Sequence, residues 1–311
     1  MSYYAQIESA EQVAAALRED GFCIGVVDPD AYHAMKEVLP GLLGLREGAC
    51  VSKSSLHEFA ASPYAFRWRR EAGRKVESSG FLLGSAVDAA TLTPELYASR
   101  YTCEAIDRRT KAGKERAREL EERGVTLLKP EESEMVNLAA EHATVALERR
   151  GLVLGDSYSS QVGMWVVLER VFDAPLATPL ILTGMLDICP HRGDALLDLK
   201  TTSKPVGNKS LLGYAVQDLD YGVQASVYAT LFEACTGEVR GRFGFCFVGT
   251  EMPCEVRFLW MEREQLEDYK PFWTRLLVRF AEAVETGDWG SFEHEDIEYT
   301  INAKEREKIY S

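Results

Sequence analysis

Along the chain, the spacing of apolar residues changes period four times. Up to about residue 150 they recur at helical spacing, and short polar signals mark where helices begin. Ser9 with Gln12 predicts a capping box ahead of a first helix, and Asp28-Pro29 predicts the start of a second. Residues 52–60 read as helical, and Ser62-Pro63 opens a further helix. Residues 80–92 are small and apolar enough for a buried helix, ended by Thr93-Pro94. A long helix follows over 131–150. The period then falls to two: residues 159–172, 179–189 and 194–202 are rich in branched and aromatic side chains and are separated by Gly, Pro or Asp, which predicts strands. Helical spacing returns over 218–235, two more strands are predicted at 241–250 and 254–261, and an amphipathic helix over 262–285 closes the pattern. The order is mixed α/β.

The 311 residues show no repeat at a fixed period and no low-complexity linker. One compact unit over 51–290 is expected, preceded by a helical extension over 1–50 and followed by an acidic tail over 291–311. From residue 262 to the end, thirteen acids stand against seven bases, which suits solubility or subunit contact better than DNA binding. Hydrophobic residues at 46% and charged residues at 27% exclude wholesale disorder. No apolar run approaches the roughly 18 residues of a membrane span, and the first residues lack the basic and apolar regions of a secretory signal. A cytoplasmic location with no membrane partner is the expectation. Seven cysteines without a CxxC pair predict reduced, packed thiols, and their spacing gives an iron–sulfur cluster no support.

A net charge of −14 opposes indiscriminate adhesion to nucleic acid, so any such partner must meet a local basic patch or a metal. Two stretches qualify. Arg67, Arg69, Arg70, Arg74 and Lys75 face only Glu71, and between Arg100 and Arg118 seven bases, among them Arg108, Arg109, Lys111 and Lys114, outnumber three acids.

The candidate chemistry sits in the predicted hairpin. A turn centred between Arg192 and Gly193 would set Asp187 opposite Asp198, and the two-residue period would put Lys200 on the same face as Asp198. Leu197 and Leu199 would enter the core behind them. Two facing carboxylates repel and are costly to bury, so the arrangement calls for a cation or a strong set of donors. Mg²⁺ binds through one or two carboxylates with waters and substrate phosphate, which matches. Lys200 would then stabilise transition-state charge at a phosphodiester. Asp268-Tyr-Lys270 repeats the acid-x-Lys pattern on a helix, where a solvated face explains it. In the helix after the hairpin, Gln224 and Tyr228 stand one turn apart on one face. Glu169 is a further candidate ligand, while His57 and His191 read as solvated or capping residues.

Asp187, Asp198-Leu-Lys200 and Gln224-Ala-Ser-Val-Tyr228 resemble the PD-(D/E)XK nuclease core with the Gln-x-x-x-Tyr motif of the RecB-like and phage exonuclease branch. Upstream, VSKSSLHEFAASPYAFRW, GFLLGSAVDAATLTPELY and DRRTKAGKERAREL are similar, in order, to the RecE-type exodeoxyribonuclease VIII domain. The resemblance covers about residues 51–228. It implies a restriction-endonuclease-like α/β fold, a mixed central β-sheet flanked by helices, as the nuclease domain over 51–290. It implies Mg²⁺-dependent digestion of linear double-stranded DNA from its ends, 5′-to-3′, leaving 3′ single-stranded tails, with Mn²⁺ as the substitute ion. It also implies a homo-oligomeric ring, such as a tetramer, and a single-strand annealing protein as partner.

In roles, Asp187 and Asp198 become metal ligands, the Leu199 carbonyl a third, Lys200 the catalytic lysine, and Gln224 with Tyr228 the supporting helix. Where the RecE type has Gly-x-x-x-His, this chain has Gly84-Ser-Ala-Val-Asp88, so Asp88 takes the histidine's place as ligand, oxygen being well matched to a hard ion. Two alternatives remain at this level: an endonuclease or structure-specific trimming enzyme of the same fold, and a non-catalytic DNA-binding or assembly module. No GxxxxGK[ST], HExxH, GxSxG or GxGxxG motif points to another enzyme class.

Overall fold

The computed structural model describes residues 3–72, 79–107, 109–171 and 173–293. The chain begins with β1 (Gln6–Ile7), α1 (Ala10–Glu19), β2 (Phe22–Val27) and α2 (Pro29–Leu42). Next come β3 (Cys50–Ser52), α3 (Lys53–Ala61), α4 (Pro63–Glu71), α5 (Ser79–Leu92), α6 (Pro94–Arg100), β4 (Tyr101–Thr102), α7 (Lys111–Glu122), β5 (Thr126–Leu127) and α8 (Pro130–Glu148). The β-rich half follows as β6 (Tyr158–Val171), β7 (Ala174–Pro190), β8 (Ala195–Thr202), α9 (Lys209–Asp218), α10 (Tyr221–Thr236), β9 (Arg242–Gly249), β10 (Val256–Glu262) and α11 (Arg263–Thr286).

The helix starts follow the local chemistry. Ser9 and Gln12 form the reciprocal capping box, Asp28 caps the Pro29 turn, and Ser52 and Ser62 cap α3 and α4. The main sheet runs β1-β2-β6-β7-β8-β9-β10, with β3 on β7, and mixes parallel and antiparallel pairs. A separate pair joins β4 to β5.

The first fifty residues hold α1 and α2, but they are not a helical extension. β2 pairs antiparallel with β6 and β1 parallel with β2, so this segment forms one edge of the central sheet. Phe22-Cys-Ile-Gly-Val-Val27 is a short apolar run between Gly21 and Asp28-Pro29, the pattern of a buried strand. Of the acidic tail, residues 294–311 lie outside the described residues.

Three apolar clusters hold the layers together. Residues of α3, α10 and α11 pack with Val162, Met164, Leu182 and Phe243. Residues of α5 and α8 pack with Tyr158, Ile188, Leu197, Leu199 and Cys246, and those of α1 and α2 pack with Val27, Trp165 and Ile181. All seven cysteines are free thiols, and the five buried ones are spread over these three clusters.

Candidate active site

A strand has two edges, and β7 uses them unequally. One lies along β6. The other is shared: β3 pairs with Ile181 to Thr183, and β8 meets it where Ile188 faces Leu197. That pair is the register the turn predicts, with Gly193 at φ 104° in the turn, so Asp187 and Asp198 take the next step along the two strands. There side chains replace the ladder. Asp187 Oδ2 accepts the Leu199 backbone N–H at 3.0 Å, and the Met185 backbone is hydrogen-bonded to the Tyr228 hydroxyl. Gly184 makes room for the same tyrosine, because a Cβ there would stand 2.7 Å from its ring.

The opening is lined by charge. Asp198 is 1% exposed; its Oδ1 accepts from Gln224 Nε2 at 2.7 Å, and its Oδ2 pairs with the Lys200 ammonium. Lys200 Nζ stands 4.9 Å from the centre of the Tyr221 ring. Burial pulls the Lys200 pKa down, but the Asp198 and Asp187 carboxylates outweigh it, and the net direction is up. Burial and the Asp198 charge hold Asp187 well above the usual carboxylate range. Leu199 sends its side chain into the α5 and α8 cluster, so only its backbone belongs to the opening.

Asp88 arrives on α5. A Cβ on Gly84 would lie 2.8 Å from Thr201 Oγ1, so the glycine lets the helix approach the end of β8 closely. Asp88 Oδ1 is shielded from solvent and accepts no hydrogen bond, and burial raises its pKa to about 7, with Lys200 opposing and Asp198 adding to the rise. The structure thus gathers Asp88, Asp187, Asp198, Lys200, Gln224 and Tyr228 around one opening.

Other candidates lie elsewhere or are already engaged. Glu169 is exposed at a register shift between β6 and β7. His191 bonds Ser159 Oγ at 2.9 Å and stacks on Tyr3, anchoring the hairpin turn. His57 holds Asp220 at 2.6 Å, where the chain takes the left-handed φ of 50° that starts α10. Lys270 pairs with Glu267 on α11 while Asp268 is exposed. Of the first basic stretch, Arg67, Arg69 and Arg70 pair with Glu71, Glu58 and Glu37, so they are not the open basic face that composition suggests. Arg109, Lys111 and Lys114 are exposed and, among the described residues, in no ion pair. Arg74, Lys75 and Arg108 lie outside the described residues.

Two residues at the opening carry no signal in the sequence. Lys53, the first residue of α3, donates to the Leu219 carbonyl at 2.6 Å and lies 5.9 Å from the Tyr221 ring centre. Burial lowers its pKa to about 8, and its charge is felt among those of Asp220, Lys200 and Asp198. Gln161 of β6 falls between the pairs Ser160–Ile188 and Val162–Leu186, which places it beside Asp187. A lysine after a helix cap and a glutamine in a serine-rich strand have no pattern that sets them apart.

The donor set suits a divalent cation: hard oxygens only, an Asp198 charge that raises the pKa of both Asp88 and Asp187, and buried acceptor oxygens on Asp88 and Gln161 that no donor reaches. Among the described residues, no three His, Cys, Asp or Glu already stand at ligand spacing. What fits is a divalent ion held through one or two carboxylates, with the rest of its shell supplied from outside the protein.

Residues 50–297 match the model of a family described as the PD-(D/E)XK nuclease superfamily. No curated protein sequence matches the chain. Among solved structures, a proposed exonuclease from Eubacterium rectale is similar with a TM-score of 0.50 and 17% identity, covering 83% of this chain and 84% of that one. A phage-related exonuclease from Haemophilus somnus 129PT is similar at 14% identity and a TM-score of 0.35, over 76% of this chain and 95% of that one.

Proposed function

This chain belongs to the PD-(D/E)XK nuclease superfamily, and from that premise we propose that it is a Mg²⁺-dependent exodeoxyribonuclease acting on the ends of linear duplex DNA. The observation that carries the reading is the meeting of Asp187, Asp198 and Lys200 at the split between β7 and β8, with Gln224 and Tyr228 of α10 bonded into it.

Asp187 and Asp198 would hold the ion, with the Leu199 carbonyl and Asp88 completing the protein's share; Mn²⁺ would substitute. When bound, such an ion lowers the pKa of water and stabilises charge on the phosphoryl oxygens. Gln224 fixes Asp198 by taking one of its oxygens, leaving the other toward Lys200. Lys200 keeps its proton because two carboxylates surround it, so it presents a full positive charge where negative charge grows on the phosphodiester. Tyr228 ties α10 to the β7 backbone at Met185 and keeps Gln224 in reach. Net hydrolysis adds water across a P–O bond and returns the protein unchanged.

Polarity from 5′ to 3′, 3′ tails passed to a single-strand annealing protein, and a ring-shaped homo-oligomer extend the proposal. They rest on the likeness of residues 51–120 to the RecE type. The test is cleavage of linear duplex DNA labelled on one strand, with Mg²⁺ or chelator. The wild type should remove the 5′ strand only with metal and only from a free end. Asp198→Ala should abolish cutting, and Lys200→Ala should lower turnover by about two to three orders of magnitude while DNA is still bound. Cutting of a substrate blocked at both ends would replace the exonuclease with an endonuclease, and full activity of Lys200→Ala would overturn the site.

A further inference from the structure

Gln161 lies inside β6, yet its φ is 53°, in the left-handed region that is unfavourable for a non-glycine residue. It is 7% exposed, and its side-chain Oε1 is buried without a hydrogen bond. Each of these is unfavourable, and they coincide at the position beside Asp187.

The strain has a visible local effect. Tyr158 and Val162, four residues apart, belong on one face of an unbroken strand, but Tyr158 packs with α5 and α8 while Val162 packs with α10 and α11. Across the pair, Leu186 and Ile188 also divide between those two clusters. The pleat therefore reverses at Gln161 and Asp187, which is where a strand irregularity re-aims side chains. The adjacent Ser160 ties this kink to α5 by donating to the Leu92 carbonyl at 2.7 Å, one turn beyond Asp88.

Reversing a pleat needs only the backbone, and glycine or asparagine does it at lower cost. It does not explain a long amide whose oxygen is buried with no donor. An amide oxygen is a hard neutral donor of the kind divalent ions accept. Resting on the nuclease reading of the site, we infer that Gln161 supplies a neutral oxygen to the coordination shell of the cation held by Asp187 and Asp198. Its left-handed backbone holds the residue at the strand position facing Asp187.

The test is Mn²⁺ binding to the full chain without DNA, followed by electron paramagnetic resonance of the free ion, together with thermal unfolding in chelator. Asp187→Asn should lose binding. Gln161→Gly should bind about 10–100-fold more weakly, the usual loss when a supporting group is removed from a metal site. In chelator it should unfold at the same temperature as the wild type or higher, because glycine adopts this φ freely. Gln161→Glu should bind more tightly than the wild type. Wild-type affinity in Gln161→Gly would overturn the inference and leave Gln161 a pleat-reversing residue. Absence of Mn²⁺ binding in the wild type would instead overturn the site reading on which the inference stands.

Discussion

Asp88 binds its proton more tightly in the native protein than in the unfolded chain, its pKa having risen from 3.8 to about 7 chiefly through burial. In the metal-free protein this group therefore stabilises the fold in acid, and the contribution drains away as the pH climbs between those two values. Asp88→Asn is neutral throughout. Urea unfolding in chelator should show the wild type losing more stability than Asp88→Asn between pH 5 and 8; equal losses would remove Asp88 from the charge cluster. The residues legible in the sequence, Asp187, Asp198 and Lys200, are legible because a two-residue period and a short turn fix which side chains face one another. Gln161 and Lys53 are not, since a reversed pleat and a helix start from another part of the chain leave no periodic mark.

At the level of elements, the long ones announce themselves. β6 to β10, α8, α10 and α11 all follow runs with clear period and clear punctuation. The strands β1, β3, β4 and β5 have two or three residues each, too few to show alternation; β1 and β3 add to the edges of the longer β2 and β7, while β4 and β5 pair only with each other. β2 has the signal of a buried strand, yet its helical neighbours mask it. The split between β7 and β8 is also hidden: pattern fixes the register at Ile188 and Leu197, but nothing in it says the ladder stops one step later. The seat of Tyr228 against Gly184 makes that split testable. Gly184→Val should push the ring out of place and cost roughly 1–3 kcal/mol in urea unfolding. It should also lower cleavage, because Gln224 moves with the same helix; a variant of wild-type stability and activity would show that the fit is slack.

Across the whole molecule the acidic balance is handled by local pairing. The arginines of α4 are taken up by glutamates, which leaves Arg109, Lys111 and Lys114 as the exposed, unpaired bases of the two basic stretches among the described residues. Lys111→Glu with Lys114→Glu should weaken duplex binding and reduce the dependence of log affinity on log salt by about one unit for each phosphate no longer neutralised. An unchanged salt slope would place the DNA elsewhere. No helix of the described residues is long and apolar enough to cross a membrane. The divided edge of β7 has one more consequence. Its partners come from distant parts of the sequence, β3 near residue 50 and β8 near residue 200, and α10 closes the opening later still. A chain still emerging from the ribosome therefore has no assembled nuclease site until the segment bearing Tyr228 has been made, so an unfinished copy carries its acids without the helix that positions them.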